Sequence, residues 1–174
     1  MARVEISTPT RKDEAEFIAA MTASADLHRP WLYPPVTSQA YREYLARLIP
    51  DRKHGFLARR VEDRALVGWL NVSDIVRGAL QGANVSYGGV AAHSGQGYMS
   101  EGIRLVLDTA FRDLKLHRVE ANVQPANERS LDFLRRCGFT REGYSRRYLK
   151  IGGRWRDHER FAMLAEDWRE LRRR

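Results

Sequence analysis

The chain has one cysteine among its 174 residues, Cys137, so no internal disulfide can form. It has no apolar run near the ~18 residues that cross a membrane. Its opening, Met1-Ala2-Arg3-Val4-Glu5, lacks the apolar core of a signal peptide, and a cytoplasmic location is expected. The five histidines, at 28, 54, 93, 117 and 158, match no ligand spacing such as H-E-x-x-H, so no metal is expected. Internal repeats, low-complexity segments and linkers are also missing. A chain of this length then reads as a single domain with room for a substantial core.

What is present is positive charge. Thirty Lys and Arg against 22 Asp and Glu give a net charge of +8, which calls for anionic partners: nucleic acid, a ribosomal surface or a polyphosphate cofactor. Part of the excess sits in Arg172-Arg173-Arg174. We read 1–168 as the domain and 169–174 as a solvated basic tail.

Val4 and Ile6 alternate with charges over Arg3 to Ser7 and predict a first strand. Thr10 to Ser24 predicts a helix with Phe17, Ile18 and Met21 on one face. A loop with three prolines follows, Leu27 to Pro35, carrying Trp31 and Tyr33. Thr37 or Ser38 caps a second helix. His54–Val61 and Ala65–Val72 read as a hairpin, and Asn84–Val90 as the next strand. The clearest amphipathic helix runs from about Gly97 to Leu114. His117–Val123 alternates as a strand with one wet face. A short helix capped by Asn127 ends at Cys137-Gly138, and Arg141–Ile151 with Trp155–Leu164 closes the chain as a hairpin.

The organising stretch is Ser94-Gly95-Gln96-Gly97-Tyr98-Met99-Ser100-Glu101-Gly102, between a strand and the main helix. Two glycines let the backbone approach a ligand closely, and the helix offers unpaired N–H groups with the positive end of its dipole. This is a site for a phosphate or pyrophosphate. It is neither a G-x-G-x-x-G fingerprint, since Gly102 comes two positions late, nor a Walker A loop, since Lys-Ser/Thr is missing. On these residues alone a plain strand-to-helix connection fits equally well.

Four stretches together resemble the GNAT superfamily of acetyl-CoA-dependent N-acetyltransferases: Ser94–Glu101, Leu116–Val123, Asn127–Ser130 followed by Cys137-Gly138-Phe139, and Tyr148–His158. The likeness is strong from about 83 to 168, and the last stretch is similar to the branch that acetylates the N-terminal alanine of ribosomal proteins. Arg29-Pro30-Trp31-Leu32 resembles the acceptor-side loop. The resemblance implies an α/β, single-domain GNAT-like fold: a mixed, mostly antiparallel sheet of about seven strands flanked by about four helices. It also implies acetyl-CoA as acyl donor.

By that resemblance, the amides of Gly95, Gln96, Gly97, Tyr98 and Met99 hold the coenzyme A pyrophosphate, and Val90 belongs to the same cofactor set. Asn127 touches the pantetheine arm, or serves only as a helix cap, or does both. Ser130 lies near the thioester sulfur. Many family members place a tyrosine acid four residues later, where this chain has Leu134, so Ser130 is expected to hydrogen-bond the thiolate. Ser94 departs from the family's usual Gln or Arg and has less reach to a phosphate.

The acceptor amine must lose a proton. An α-amino group, pKa about 8, is roughly one-tenth neutral at pH 7, whereas a lysine near 10.4 is almost wholly charged. No carboxylate lies between Ala83 and Ala92, so a protein N-terminus is the expected acceptor. Glu120 is the candidate base, or else an ion-pair partner of Arg118 or Arg147. Trp31, Tyr87, Tyr148 and Trp155 are the candidate acceptor-binding residues, the last two with a plain hairpin role as the alternative. Cys137 reads as packed. The rival functions are a GNAT enzyme acting on a small amine, one using a longer acyl group such as succinyl, and a non-catalytic nucleic-acid-binding module. Ribosome association and a monomer or homodimer complete the expectations.

Overall fold

A computed structural model describes residues 2–173; Met1, and Arg174 of the expected tail, lie outside the described residues. Seven strands form one sheet: β1 (Val4–Ser7), β2 (Lys53–Arg60), β3 (Leu66–Val76), β4 (Gly82–Gly89), β5 (Arg118–Val123), β6 (Thr140–Ile151) and β7 (Arg154–Leu164). They lie in the order β1-β2-β3-β4-β5-β7-β6. Every neighbouring pair is antiparallel except β4 with β5, which is parallel. That is the pair flanking the main helix, as a crossover connection requires.

Six α-helices accompany the sheet: α1 (Glu14–Ala23), α2 (Ala25–His28), α3 (Ser38–Ala46), α4 (Tyr98–Asp108), α5 (Glu128–Arg136) and α6 (Ala165–Leu171). The sequence pattern showed about four. It missed the four-residue α2 and the closing α6, both too short to repeat an apolar period. The boundary placed between 168 and 169 falls inside α6. There Trp168 is buried and donates its indole N–H to Asp108, and Arg172 pairs with the same carboxylate. The regular coil of α4 also stops sooner than the pattern implied. Thr109–Asp113 continues it as a wider π turn, closed by the Leu114 amide on the Thr109 carbonyl at 3.0 Å.

Alternation along the strands splits the core in two. Ile103, Val106 and Leu107 of α4, with Leu131 and Leu134 of α5 and Trp168 of α6, cover one face of the sheet. Phe17 and Met21 of α1, with Tyr41 and Tyr44 of α3, pack on Leu57 and Trp69 on the other. Ile103, Val106 and Leu107 are 0% exposed, and each contributes roughly 1.5–3 kcal/mol by leaving water. Arg59, on β2, is held between Asp13 at 2.8 Å and Glu16 at 2.7 Å, fastening the start of α1 to the sheet. Thr10 caps that entry with its side chain on the Lys12 amide.

Candidate active site

The β4–β5 ladder is short. Gly82 pairs with Arg118, Ala83 with Val119 and Asn84 with Glu120, and the register then ends. Both strands continue: β4 stays bonded to β3 as far as Gly89, and β5 to β7 as far as Val123. The strands therefore part, and the β4 edge from Val85 to Gly89 has no strand partner on that side. An extended ligand bearing amides can pair with such an edge.

A cleft of about 370 Å3 opens at this parting. Tyr87, Gly88, Gly89 and Val90 form its floor, Leu27, His28, Trp31 and Leu32 one wall, and Asn127, Ser130 and Phe133 the other. Its far end is the glycine turn. Gly95 and Gly97 adopt φ of 77° and 83°, the left-handed region that glycine alone enters without strain. This turn leaves the backbone amides of Gly95, Gln96, Gly97, Tyr98 and Met99 without an acceptor among the described residues, all at the N-terminus of α4. A Cβ on Gly95 would meet nothing within 4 Å. Five unpaired donors in succession, a helix dipole and open space fit a pyrophosphate.

Electrostatics favour the same ligand. The Arg129 guanidinium, from α5, donates to Ser94 Oγ. The cation that Ser94 itself does not supply thus reaches the turn from another element. Arg3 stands over the Tyr98 ring at 5.0 Å and Arg60 at 5.8 Å.

The reacting end is built by α5 and β4. Asn127 caps α5, its Oδ1 accepting from the Ser130 amide at 3.3 Å, which brings the Ser130 side chain into the cleft. Ser130 Oγ lies 2.7 Å from the Tyr87 hydroxyl. Phe133 packs on the Tyr87 ring at 4.9 Å. Burial pushes the Tyr87 phenol well above its ordinary range, with the Ser130 hydrogen bond opposing, so it stays protonated at neutral pH. Leu134 is 0% exposed, inside the core rather than the cleft.

Of the residues singled out in the sequence, the cleft brings together Val90, Gly95, Gly97, Tyr98, Met99, Asn127, Ser130, Tyr87 and Trp31; Gln96 contributes its free amide. Glu120, Tyr148 and Trp155 are not among the cleft-lining residues. Glu120 sits at the last paired position of the β4–β5 ladder and is bound by Arg118 Nε at 2.9 Å. Tyr148 packs edge-on against His158 at 6.2 Å. Trp155 is 61% exposed and alternates with Arg156 to the opposite face of β7. Cys137 is buried and its thiol is pushed up by desolvation, the state of a packed side chain. Sequence reasoning passed over His28, because the proline-rich loop beside it hides its contact with a strand 61 residues away. It also treated Arg129 only as part of a motif. No group of three or more His, Cys, Asp or Glu side chains that could hold a metal occurs among the described residues.

With this geometry in view, residues 3–140 match the model of the acetyltransferase (GNAT) domain. The chain belongs to the GNAT acetyltransferase family. This GNAT chain is 44% identical over 125 residues to the probable N-acetyltransferase YjcK of Bacillus subtilis, covering 72% of this chain and 69% of that one. It is 36% identical over 107 residues to the ribosomal protein uS5-alanine N-acetyltransferase of Escherichia coli, covering 62% and 55%. Among solved structures, Mycobacterium smegmatis RimJ in complex with CoA-disulfide superposes with a TM-score of 0.85 at 27% identity, over 98% of this chain and 88% of that one. Spermidine N-acetyltransferase of Vibrio cholerae, in complex with CoA and spermine, shares the fold with a TM-score of 0.80 at 20% identity, over 97% and 99%.

Proposed function

We propose that this acetyltransferase moves acetyl from acetyl-CoA to the N-terminal α-amino group of a protein, a ribosomal protein being the favoured acceptor. The observation that carries the reading is the continuity of the cleft, from five free amides at the glycine turn, along the unpaired β4 edge, to the Tyr87–Ser130 pair. The turn holds the pyrophosphate, and the β4 edge aligns the pantetheine amides. When bound, acetyl-CoA supplies an activated thioester. Ser130 then stands where the thiolate departs and hydrogen-bonds it, while the Tyr87 hydroxyl holds Ser130 Oγ in place. A thiol of pKa about 8.5 leaves without a strong acid, so a hydroxyl pair suffices.

The acceptor side supports an α-amine over a polyamine. A polycation needs free carboxylates. Around the closing hairpin, Glu120 is paired with Arg118, Glu159 with Arg141, and Asp157 accepts from the Tyr144 hydroxyl and the Arg147 amide. Arg156 and Arg160, on the face of β7 that carries His158, have no ion-pair partner among the described residues. Those cations suit a peptide bearing a carboxylate and repel spermidine. Ribosome association and a cytoplasmic location go with this reading. No helix among the described residues is long and apolar enough to cross a membrane.

The experiment is to incubate the enzyme and isotope-labelled acetyl-CoA with a cell lysate and map labelled sites by peptide mass spectrometry. Label confined to one or a few protein N-termini is expected. Coenzyme A release that depends instead on added spermidine or another small amine, with no labelled N-terminus, replaces this acceptor.

A further inference from the structure

One buried imidazole lines the cleft with one of its two ring nitrogens unpartnered. His28, the last residue of α2, is 2% exposed. Its Nε2 lies 2.7 Å from the Gly89 carbonyl. A carbonyl only accepts, so Nε2 carries the hydrogen, and the neutral ring must present a bare lone pair at Nδ1. That Nδ1 is buried and has no hydrogen-bond partner. Buried polar atoms without partners are rare and call for a missing donor.

The other cleft-lining groups do not offer an alternative base. None is a carboxylate. Tyr87 from β4 is held protonated, Arg129 and Arg136 from α5 are cations, and Tyr98 opens α4. His93 lies in the turn between β4 and the glycines, beside Tyr98 at 6.3 Å, at the pyrophosphate end. Glu120 is tied to Arg118. The peptide unit after Gly89 is also fixed at both ends, its carbonyl by His28 and the Val90 amide by the Val67 carbonyl at 2.9 Å. His28 is therefore rigidly set at the end of the unpaired β4 edge.

We infer that His28 Nδ1 is the proton acceptor for the incoming amine. This rests on the chain acetylating an amine, and not on which amine. The ammonium group gives one proton to His28 Nδ1, and the freed nitrogen lone pair forms the C–N bond to the acyl carbon. The C–S bond breaks, and its electron pair stays on sulfur, where the Ser130 hydroxyl hydrogen-bonds it. The nitrogen's second proton passes through water to that thiolate as the amide forms, and His28 gives its proton to solvent. The balance is one ammonium plus one thioester giving one amide, one thiol and one proton to solvent.

The decisive variant is His28→Gln, whose amide N–H can still donate to Gly89 but has no basic nitrogen; His28→Phe removes both. Rates of coenzyme A release are followed from pH 6 to 10 with an alanine-initiated hexapeptide as acceptor. For His28→Gln we expect kcat to fall about 100-fold at pH 7, with KM for acetyl-CoA and the coenzyme A-induced rise in Tm unchanged. The deficit should shrink to under about fivefold near pH 9.5, where an α-amine with pKa of about 8 is already neutral. A wild-type pH profile in His28→Gln overturns the inference. So does a deficit in His28→Gln that stays constant from pH 6 to 10, because that marks a structural role. If wild type ignores the peptide but turns over spermidine, the N-terminal acceptor reading fails and the same comparison is read with spermidine. Independently of any acceptor, two-bond 1H–15N spectra of the histidine rings should show His28 protonated at Nε2 and bare at Nδ1. The opposite tautomer overturns the assignment.

Discussion

The Tyr87 hydroxyl and Ser130 Oγ lie 2.7 Å apart, linking strand β4 to the first turn of α5 across the cleft. Replacing either residue takes away the other's hydrogen-bond partner. Ser130→Ala and Tyr87→Phe should each lower kcat about 10- to 100-fold, with KM for acetyl-CoA within about twofold. The double variant should be little worse than either alone, because the two act as one unit. Multiplicative losses would show that they act separately.

Gly97 opens α4 from the left-handed region, with φ of 83°. Gly97→Ala costs on the order of 1–2 kcal/mol if the backbone keeps that conformation. If it relaxes, the five-amide array is lost. Coenzyme A affinity should weaken about 10- to 100-fold by isothermal titration calorimetry, with the far-ultraviolet circular dichroism unchanged. Unaltered affinity would remove the glycine turn from the phosphate site.

Burial holds the imidazoles of His28 and His158 below their ordinary value, which is about 6.5. The unfolded chain therefore binds protons more readily than the folded one as the pH drops. The stability these two contribute is complete above pH ~6.5 and is lost as the pH falls through that value toward their folded-state values. Urea midpoints should hold from pH 7.5 to about 6.5 and decline from there to pH 5, and less so in the double variant His28→Gln, His158→Gln. A flat wild-type profile over that range contradicts this account.

Arg59 is 8% exposed and joins Asp13 and Glu16. Arg59→Met leaves both carboxylates uncompensated, though they are partly solvated and can rehydrate. The expected loss is about 2–3 kcal/mol of unfolding free energy in urea. A change under about 0.5 kcal/mol would assign this pair to the ordinary class of surface ion pairs.

Period-two alternation in β5 and β7, the glycine turn and the Asn127 cap were legible because each is a local pattern with a local physical cause. The seven-stranded sheet with one parallel pair followed from the order of hairpins and the single long crossover. What escaped had causes far apart in the chain. The polar side of β5 puts Glu120 on a wet face, where Arg118 claims it as the sequence allowed, but only the sheet register reveals that the pair lies at the closed end of the parting strands. Trp155 was drawn toward the acceptor by its chemistry, and it stands exposed outside the lining of the cleft, on the opposite face of β7 from Arg156. His28 sits in a four-residue helix with no periodic signal, and its partner is a backbone carbonyl. No side-chain pattern marks a backbone carbonyl.

The three-residue β4–β5 ladder also divides the sheet mechanically. On one side β1 to β4 carry α1 and α3; on the other β5, β7 and β6 carry the closing hairpin. Few backbone bonds join the halves, and the core under α4 and α5, which packs on strands of both, does most of the holding. A donor laid along the unpaired edge stitches the halves with new hydrogen bonds and sets the spacing of the walls that an acceptor must enter between. Coenzyme A should therefore slow hydrogen exchange at Val85 to Gly89 before it does so elsewhere in the sheet.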